Sequence, residues 1–376
     1  MKKKFCFGII TALLIAGVIL ASCSNLIEDL NRKKEKIPLY IILPPGTDGT
    51  AGTTATYLLF GEWPQTIKAA DVTVDESVYK VVGAFTYYKG DDGAWYVKQQ
   101  EKSLYYFFYS DGTKVKEETD NSYRYFKVEP IKWCILTDNY DGKKLLLAEN
   151  ILINCQFYDF DISRYNTMDA RSFNNRVNLF IRNNDIYPNN YKESKIRAYL
   201  NGLSYIIKDP TSDSQENNNF FMRKGFLQTA FNSEQQSIIA NTIIDNSEIT
   251  TTDANEILPK AAYFICENTI DKIFLLSEQE VTKTEYGFTD YDKNGTGNSR
   301  IRKSTDFAKA NGAYQSSGTG EGGYWWLRSP CNISQPSGVY SFCSRDVIQN
   351  GNSNPTILYS VNRTDGGVCP ALCIND

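Results

Sequence analysis

The sequence predicts an α+β fold of short antiparallel strands, two main helices and extensive loops. Three observations lead there. Short β-prone runs divided by Gly-containing turns fill much of the chain before residue 150. Two stretches, at residues 192–201 and 233–240, carry helical signals. Two apolar, strand-like motifs bracket the C-terminal region: Tyr-Trp-Trp-Leu-Arg-Ser-Pro at 324–330 and Gly-Gly-Val-Cys-Pro-Ala-Leu-Cys-Ile at 366–374.

At the N-terminus, Lys2, Lys3 and Lys4 precede an apolar run over residues 5–20. Leu-Ala-Ser-Cys at 20–23 then matches the lipobox of bacterial lipoproteins. Residues 1–22 are expected to be a signal peptide, because the apolar run is short for a spanning helix and small residues precede Cys23. Cys23 is expected to be the lipidated first residue of an envelope protein on the outer membrane, facing outward. Several acyl chains on one Cys make attachment stable. An uncleaved anchor helix is the alternative reading. Residues 23–54 read as a tether, with a solvated Lys33-Lys34-Glu35-Lys36 run and a Pro44-Pro45-Gly46 break. Residues 55–376 read as the folded domain.

Within that domain, Tyr-Leu-Leu-Phe-Gly-Glu-Trp-Pro-Gln-Thr at 57–66 reads as a strand ending in a Pro turn. Runs at 78–82, 84–88, 94–98 and 105–109 follow, with hairpin-like turns at 89–93 and 110–113. Residues 125–136 and 144–148 read as a further strand pair. Helical spacing puts Ile196, Tyr199 and Leu200 on one face, with Ser194 as N-cap and Gly202 as stop. Ser233 and Gln236 form a capping-box pattern for the second helix. Residues 271–277 read as a buried strand, and 277–285 as a short helix.

Composition narrows function. The net charge is −4, or −7 once the three leader lysines are removed, which disfavours nucleic acid as a partner. Histidine is absent, which excludes Ser-His-Asp and Cys-His catalysis and His-ligated zinc. Beyond the leader and Cys23, seven cysteines remain, so one thiol at least is free or linked between molecules. Cys134 and Cys266 read as core. Cys331 and Cys343 are expected to flank a loop without bridging. Residues 290–295 have the opening spacing of a calcium loop, but Ile301 stands where the bidentate Glu is required. Gln335-Pro336-Ser337 lacks the last carboxylate of a sugar-binding calcium triplet. No metal and no cofactor is expected.

The two end motifs resemble those of a bacterial extracellular domain family with C-type-lectin-like, formylglycine-generating-enzyme-like folding. Cys369 stands where that family usually has Arg. With the lipobox, the chain resembles most the variable proteins of diversity-generating retroelements, of the spirochaete lipoprotein type. The Phe-Gly-x-x-Pro-Gln-Thr run and the 130–136 and 144–152 blocks fit the same pattern, so the resemblance covers about residues 56–376 discontinuously. It implies a diversified, ligand-displaying segment between the motifs, within residues 324–376.

Composition alone reads residues 331–365 as a solvated loop excursion before a last core strand. The residues nominated there as ligand contacts are Asn332, Ser334, Tyr340, Ser341, Cys343, Arg345, Asp346, Asn350, Asn352, Tyr359, Asn362, Arg363 and Asp365. Tyr and Arg supply anchor contacts, while Asn and Ser supply adaptable hydrogen bonds. The expected partner is a protein or glycan outside the cell, beside the membrane itself. The expected role is ligand binding, not catalysis. Two alternatives stay open: an oxidase of formylglycine-generating type using a Cys pair, either Cys331/Cys343 or Cys369/Cys373, and a structural envelope lipoprotein.

Overall fold

The computed structural model describes residues 39–43, 56–103, 107–159, 189–208, 215–247, 266–288, 298–318, 321–334, 340–351 and 359–375. The expected signal peptide, Cys23, most of the expected tether and the calcium-like run at 290–295 lie outside these residues. Among the described residues, no helix is long and apolar enough to cross a membrane.

In chain order the elements begin with strands β1 (Ile41–Leu43), β2 (Tyr57–Ile67), β3 (Val74–Val82) and β4 (Phe85–Gly90). Next come β5 (Trp95–Gln100), β6 (Tyr123–Tyr140), β7 (Lys143–Ala148) and β8 (Ile153–Asn154). Helix α1 (Lys195–Asn201) leads to β9 (Tyr205–Lys208), β10 (Gln215–Asn218), α2 (Phe226–Ala230) and α3 (Ser233–Ile238). Then follow β11 (Thr242–Ile244), β12 (Thr269–Asp271), β13 (Ile273–Phe274) and α4 (Asp306–Ala310). The chain closes with β14 (Trp325–Ser334), β15 (Tyr340–Val347), β16 (Tyr359–Ser360), β17 (Gly367–Val368) and β18 (Ala371–Ile374).

This architecture corrects the α+β expectation. Among the described residues, 42% are strand and 15% helical, with four short helices and large antiparallel sheets. The lectin-like arrangement with two main helices is therefore not its fold. The helical signals were real but local. Helix α1 starts at its expected cap, where Ser194 Oγ accepts from Arg197 N, and Gly202 ends it after seven residues in a left-handed conformation. Helix α3 is capped one residue earlier than expected: Asn232 and Gln235, not Ser233 and Gln236, exchange the capping-box bonds. The helix expected over 277–285 is two 3-10 turns, Glu280–Thr282 and Thr284–Tyr286. Helices this short draw their stability from packing, not from propensity.

The larger sheet runs β13-β18-β7-β6-β5-β4-β3, with β2 pairing both β6 and β1. The expected tether thus already contains a strand, because Ile41, Ile42 and Leu43 pair with Leu59, Leu58 and Tyr57. The smaller sheet runs β16-β15-β14-β17-β8. Strand β6 is the spine of the larger one. Its early residues pair with β5, its later ones with β7, and residues between Phe126 and Cys134 with β2.

Strand β2 shows why Phe-Gly-x-x-Pro-Gln-Thr has that form. Phe60 and Trp63 are both buried, although three apart, because the register shifts between Leu59 and Glu62. A bulge of this kind moves the following side chains to new faces. Trp63 donates to the Leu152 carbonyl at 3.0 Å, and Trp133 donates to the Phe60 carbonyl at 2.7 Å. Trp63 also packs against Phe85, Phe226 and Phe307, with ring centroids 4.8–6.2 Å apart. The bulge needs Gly61, whose φ is +70°. A Cβ there would lie 2.5 Å from a Phe231 ring carbon and 2.8 Å from the Ala230 carbonyl oxygen. Gly61→Ala is therefore expected to cost at least about 1 kcal/mol, read as a lowered urea midpoint at unchanged slope.

Candidate functional site at the C-terminal hairpin

Strands β14 and β15 form a hairpin with two unlike halves. The base half is buried throughout: Trp325, Trp326, Leu327, Arg328, Ser329 and Pro330 all lie inside. Alternation of buried and exposed side chains is absent here. The β14–β15 register shifts between Trp326 and Pro330, so period two is broken.

The indoles of Trp325 and Trp326, the Leu327 carbonyl and both terminal nitrogens of Arg328 have hydrogen-bond partners in the base. Trp325 donates to the Arg300 carbonyl at 3.2 Å, and Trp326 to the Cys155 carbonyl at 3.0 Å. Ser344 Oγ donates to the Leu327 carbonyl at 2.7 Å. Arg328 forms a bidentate pair with Glu280, through Nη1 to Oε2 and Nη2 to Oε1, and also donates to the Leu275 carbonyl at 2.8 Å. Glu280 accepts further from Tyr140 Oη at 2.8 Å and from Ser277 N at 2.7 Å. Burial pushes the Glu280 carboxyl up, but the Arg328 charge and these hydrogen bonds outweigh it and hold the pKa below the ordinary glutamate value.

The second motif supports the first. A Cβ on Gly366 would lie 2.2 Å from the Trp326 indole nitrogen, and one on Gly367 would lie 2.5 Å from Ile151. Gly366 thus lets the chain pass directly against the Trp326 ring, and Gly367 lets it pass against Ile151. Strand β17 then pairs in parallel with β14 at Trp325 and in antiparallel with β8.

Beyond Pro330 the expected loop is instead a regular ladder. Pro330, Cys331, Asn332, Ile333 and Ser334 oppose Ser344, Cys343, Phe342, Ser341 and Tyr340. Strand β16 extends it, with Tyr359 opposite Ser344 and Ser360 opposite Cys343. The backbone therefore gathers Asn332, Ser334, Tyr340, Ser341, Cys343, Arg345 and Tyr359 on one three-stranded ribbon. By register, Asn332, Ser334, Tyr340 and Tyr359 occupy positions of one parity, and Ser341, Cys343 and Arg345 the other. Asn352 lies outside the described residues, as do residues 335–339 and 353–358.

The remaining nominated residues belong to the base. Asp346 is 5% exposed and Asp365 is 2% exposed, so both are corrected from ligand contacts to structural carboxylates. Arg363 makes a bidentate pair with Asp365 and lays its guanidinium over the Tyr324 ring, 4.5 Å from the centroid. Tyr324 stacks in turn on Tyr314, at 4.1 Å and nearly parallel. Arg363 is thus spent on this stack. The Asn362 carbonyl accepts from Gln156 at 2.7 Å, and both Asn350 and Asn362 are half-buried.

Other features bear on chemistry. Burial pushes the thiols of Cys155, Cys369 and Cys373 up to about 12 and that of Cys134 up to about 11. A nucleophilic thiolate needs the opposite shift. A polar cleft of about 530 Å³ lies where the end of β2 meets the start of α4, lined by Gln65, Thr66, Lys303, Asp306 and Glu321 among others. Sequence reading missed it, and its Asp306 carboxylate is already engaged. Asp306 accepts from Ile67 N, Ser110 N and Ser110 Oγ, and it pairs with Lys309 at 3.1 Å. Among the described residues, no three Cys, Asp or Glu side chains group as a metal site would require.

No curated protein and no solved structure matches the chain. Residues 141–376, which hold the hairpin, its base and both motifs, match a family described as a domain of unknown function, DUF6273. That match spans more than half of the chain, which therefore belongs to the DUF6273 family.

Proposed function

We propose that the protein is a lipid-anchored surface protein whose β14–β15–β16 ribbon displays a ligand-binding segment. The observation that carries the reading is the division of one hairpin into two halves. From Trp325 to Pro330 every residue is buried, and Trp325, Trp326 and Arg328 are hydrogen-bonded into the core. From Cys331 onward the same two strands continue as a mostly polar ribbon of Asn, Ser, Tyr, Cys and Arg, with Ile333 and Phe342 among them. A fixed base under a polar, Tyr-bearing segment suits recognition, because the base holds the backbone whichever side chains the ribbon carries. Of the thirteen residues nominated from sequence, the contacts retained in this reading are Asn332, Ser334, Tyr340, Ser341, Cys343, Arg345, Asn352 and Tyr359. The ligand is a protein or glycan outside the cell, and the anchor is the lipid on Cys23. In this reading the ribbon is diversified at template adenines by a retroelement.

The test is a library with the nominated positions randomised together. Individual changes at the positions other than Cys343 are expected to move stability by no more than about 0.5 kcal/mol, while binding to cell-surface proteins and glycan arrays changes from clone to clone. General unfolding of the library would sink the display reading. Beside the gene, a near-copy of the coding segment for 331–365 differing only at adenines is expected, next to a reverse transcriptase gene.

A further inference from the structure

We propose that Cys331 and Cys343 form a disulfide that staples the displayed ribbon at its root. The two residues are direct register partners in the antiparallel β14–β15 pair. Opposed residues in such a pair have Cα atoms about 4.5 or 5.5 Å apart. Both values fall inside the roughly 4.4–6.8 Å that a disulfide spans. Opposed residues also share one face of the ribbon. The pairing was hidden in the sequence, because an eleven-residue polar stretch separates the two cysteines there.

The other cysteines leave this pair isolated. Cys134, Cys155, Cys266, Cys369 and Cys373 are free thiols, three of them buried and two half-buried. All five have thiols raised by burial. They are therefore poor partners for exchange. Beyond the leader and Cys23, only Cys331 and Cys343 then remain, and the fold sets them opposite each other.

Closure is a two-electron oxidation. Both thiols lose their protons and one Sγ–Sγ bond forms. A disulfide oxidant, such as glutathione disulfide, takes up the two electrons and two protons and departs as two thiols. The ring so closed contains Asn332, Ser334, Tyr340 and Ser341. It limits the conformations open to the ribbon before binding, which lowers the ordering cost of recognition. The compartment of closure rests on the export reading above, since disulfides persist in oxidising surroundings. The pairing itself rests on register alone.

Trypsin provides a clean readout. Arg328 and Arg345 are the nearest basic residues on either side, so 329–345 leaves as one peptide holding these two cysteines and no others. Purified protein is equilibrated with glutathione disulfide, denatured in iodoacetamide and digested. The expected peptide is two hydrogens lighter than the dithiol form and carries no alkyl group; prior reduction adds two. In Cys331→Ser, Cys343 should no longer be protected by an intrapeptide bond. Reductant is expected to lower the melting temperature of the native protein but not that of the Cys331→Ser, Cys343→Ser double variant. Two alkylated cysteines in the oxidised sample, or a link from either to another cysteine peptide, overturns the pair. The same digest is applied to protein recovered from cells carrying the native leader. An open peptide from envelope-located protein counts against the staple. A cytoplasmic protein whose purified form closes in glutathione counts against export alone.

Discussion

Glu280→Ala is expected to lower stability by about 3–5 kcal/mol, the usual cost of removing one partner of a buried ion pair. The substitution strands Arg328, which is fully buried and holds Glu280 with two parallel hydrogen bonds. It also removes the acceptor for Tyr140 Oη and for the Ser277 amide. Arg328→Met combined with Glu280→Leu should cost much less than the two single changes summed, since no charge is then left in the interior. Urea melts of the four proteins provide the cycle.

The same pair sets a pH dependence. The Glu280 pKa is lower in the folded than in the unfolded state, so between those values the unfolded chain binds more protons. The stabilisation is complete above the ordinary glutamate value and is lost as pH falls through the folded one. The urea midpoint should therefore drop in acid for the native protein, and drop less steeply for Glu280→Gln.

The second large effect is expected at Trp326. Trp326→Ala should cost about 3–5 kcal/mol. The indole is 1% exposed, packs against Phe157 at 6.0 Å between centroids, and donates to the Cys155 carbonyl. It also fills the space that Gly366 leaves open. Trp326→Phe should recover part of the packing but leave that carbonyl without its donor, and so lie between the two. Calorimetric melts distinguish the three proteins. If Trp326→Ala melts like the native chain, the base is not the rigid support that the display reading needs.

Strands β2 to β7 were legible because they carry apolar residues with turn chemistry between them, such as Gly93 and Gly112, both at positive φ. Ser194 and Gly202 were legible because caps act locally. The balance between helix and strand was not. A seven-residue helix and a longer one begin with the same signals, and only packing decides how far each extends. The ribbon was missed for a related reason. Asn332, Ser334 and Ser341 carry no apolar alternation, so nothing local separates a paired polar strand from a loop. The Arg328–Glu280 pair joins residues 48 apart, and the Gly366–Trp326 fit joins residues 40 apart. Neither leaves a trace in a sequence window. The burial of Asp346 and Asp365 was not legible either, because it depends on how the surrounding elements pack and not on the local run of residues.

The place of β18 has a consequence for synthesis. It is made after every other described strand, yet it sits inside the larger sheet, between β13 and β7. Strand β17, made just before it, joins β14 to β8 in the smaller sheet. Neither sheet can close while the ribosome is still translating the ribbon. A frameshift or premature stop anywhere in 331–365 deletes both strands together, leaving open edges and exposed core for proteases to find. A chain whose reading frame is lost within this stretch is therefore expected to fail at folding, so folding itself proofreads the frame of the segment that precedes the last two strands.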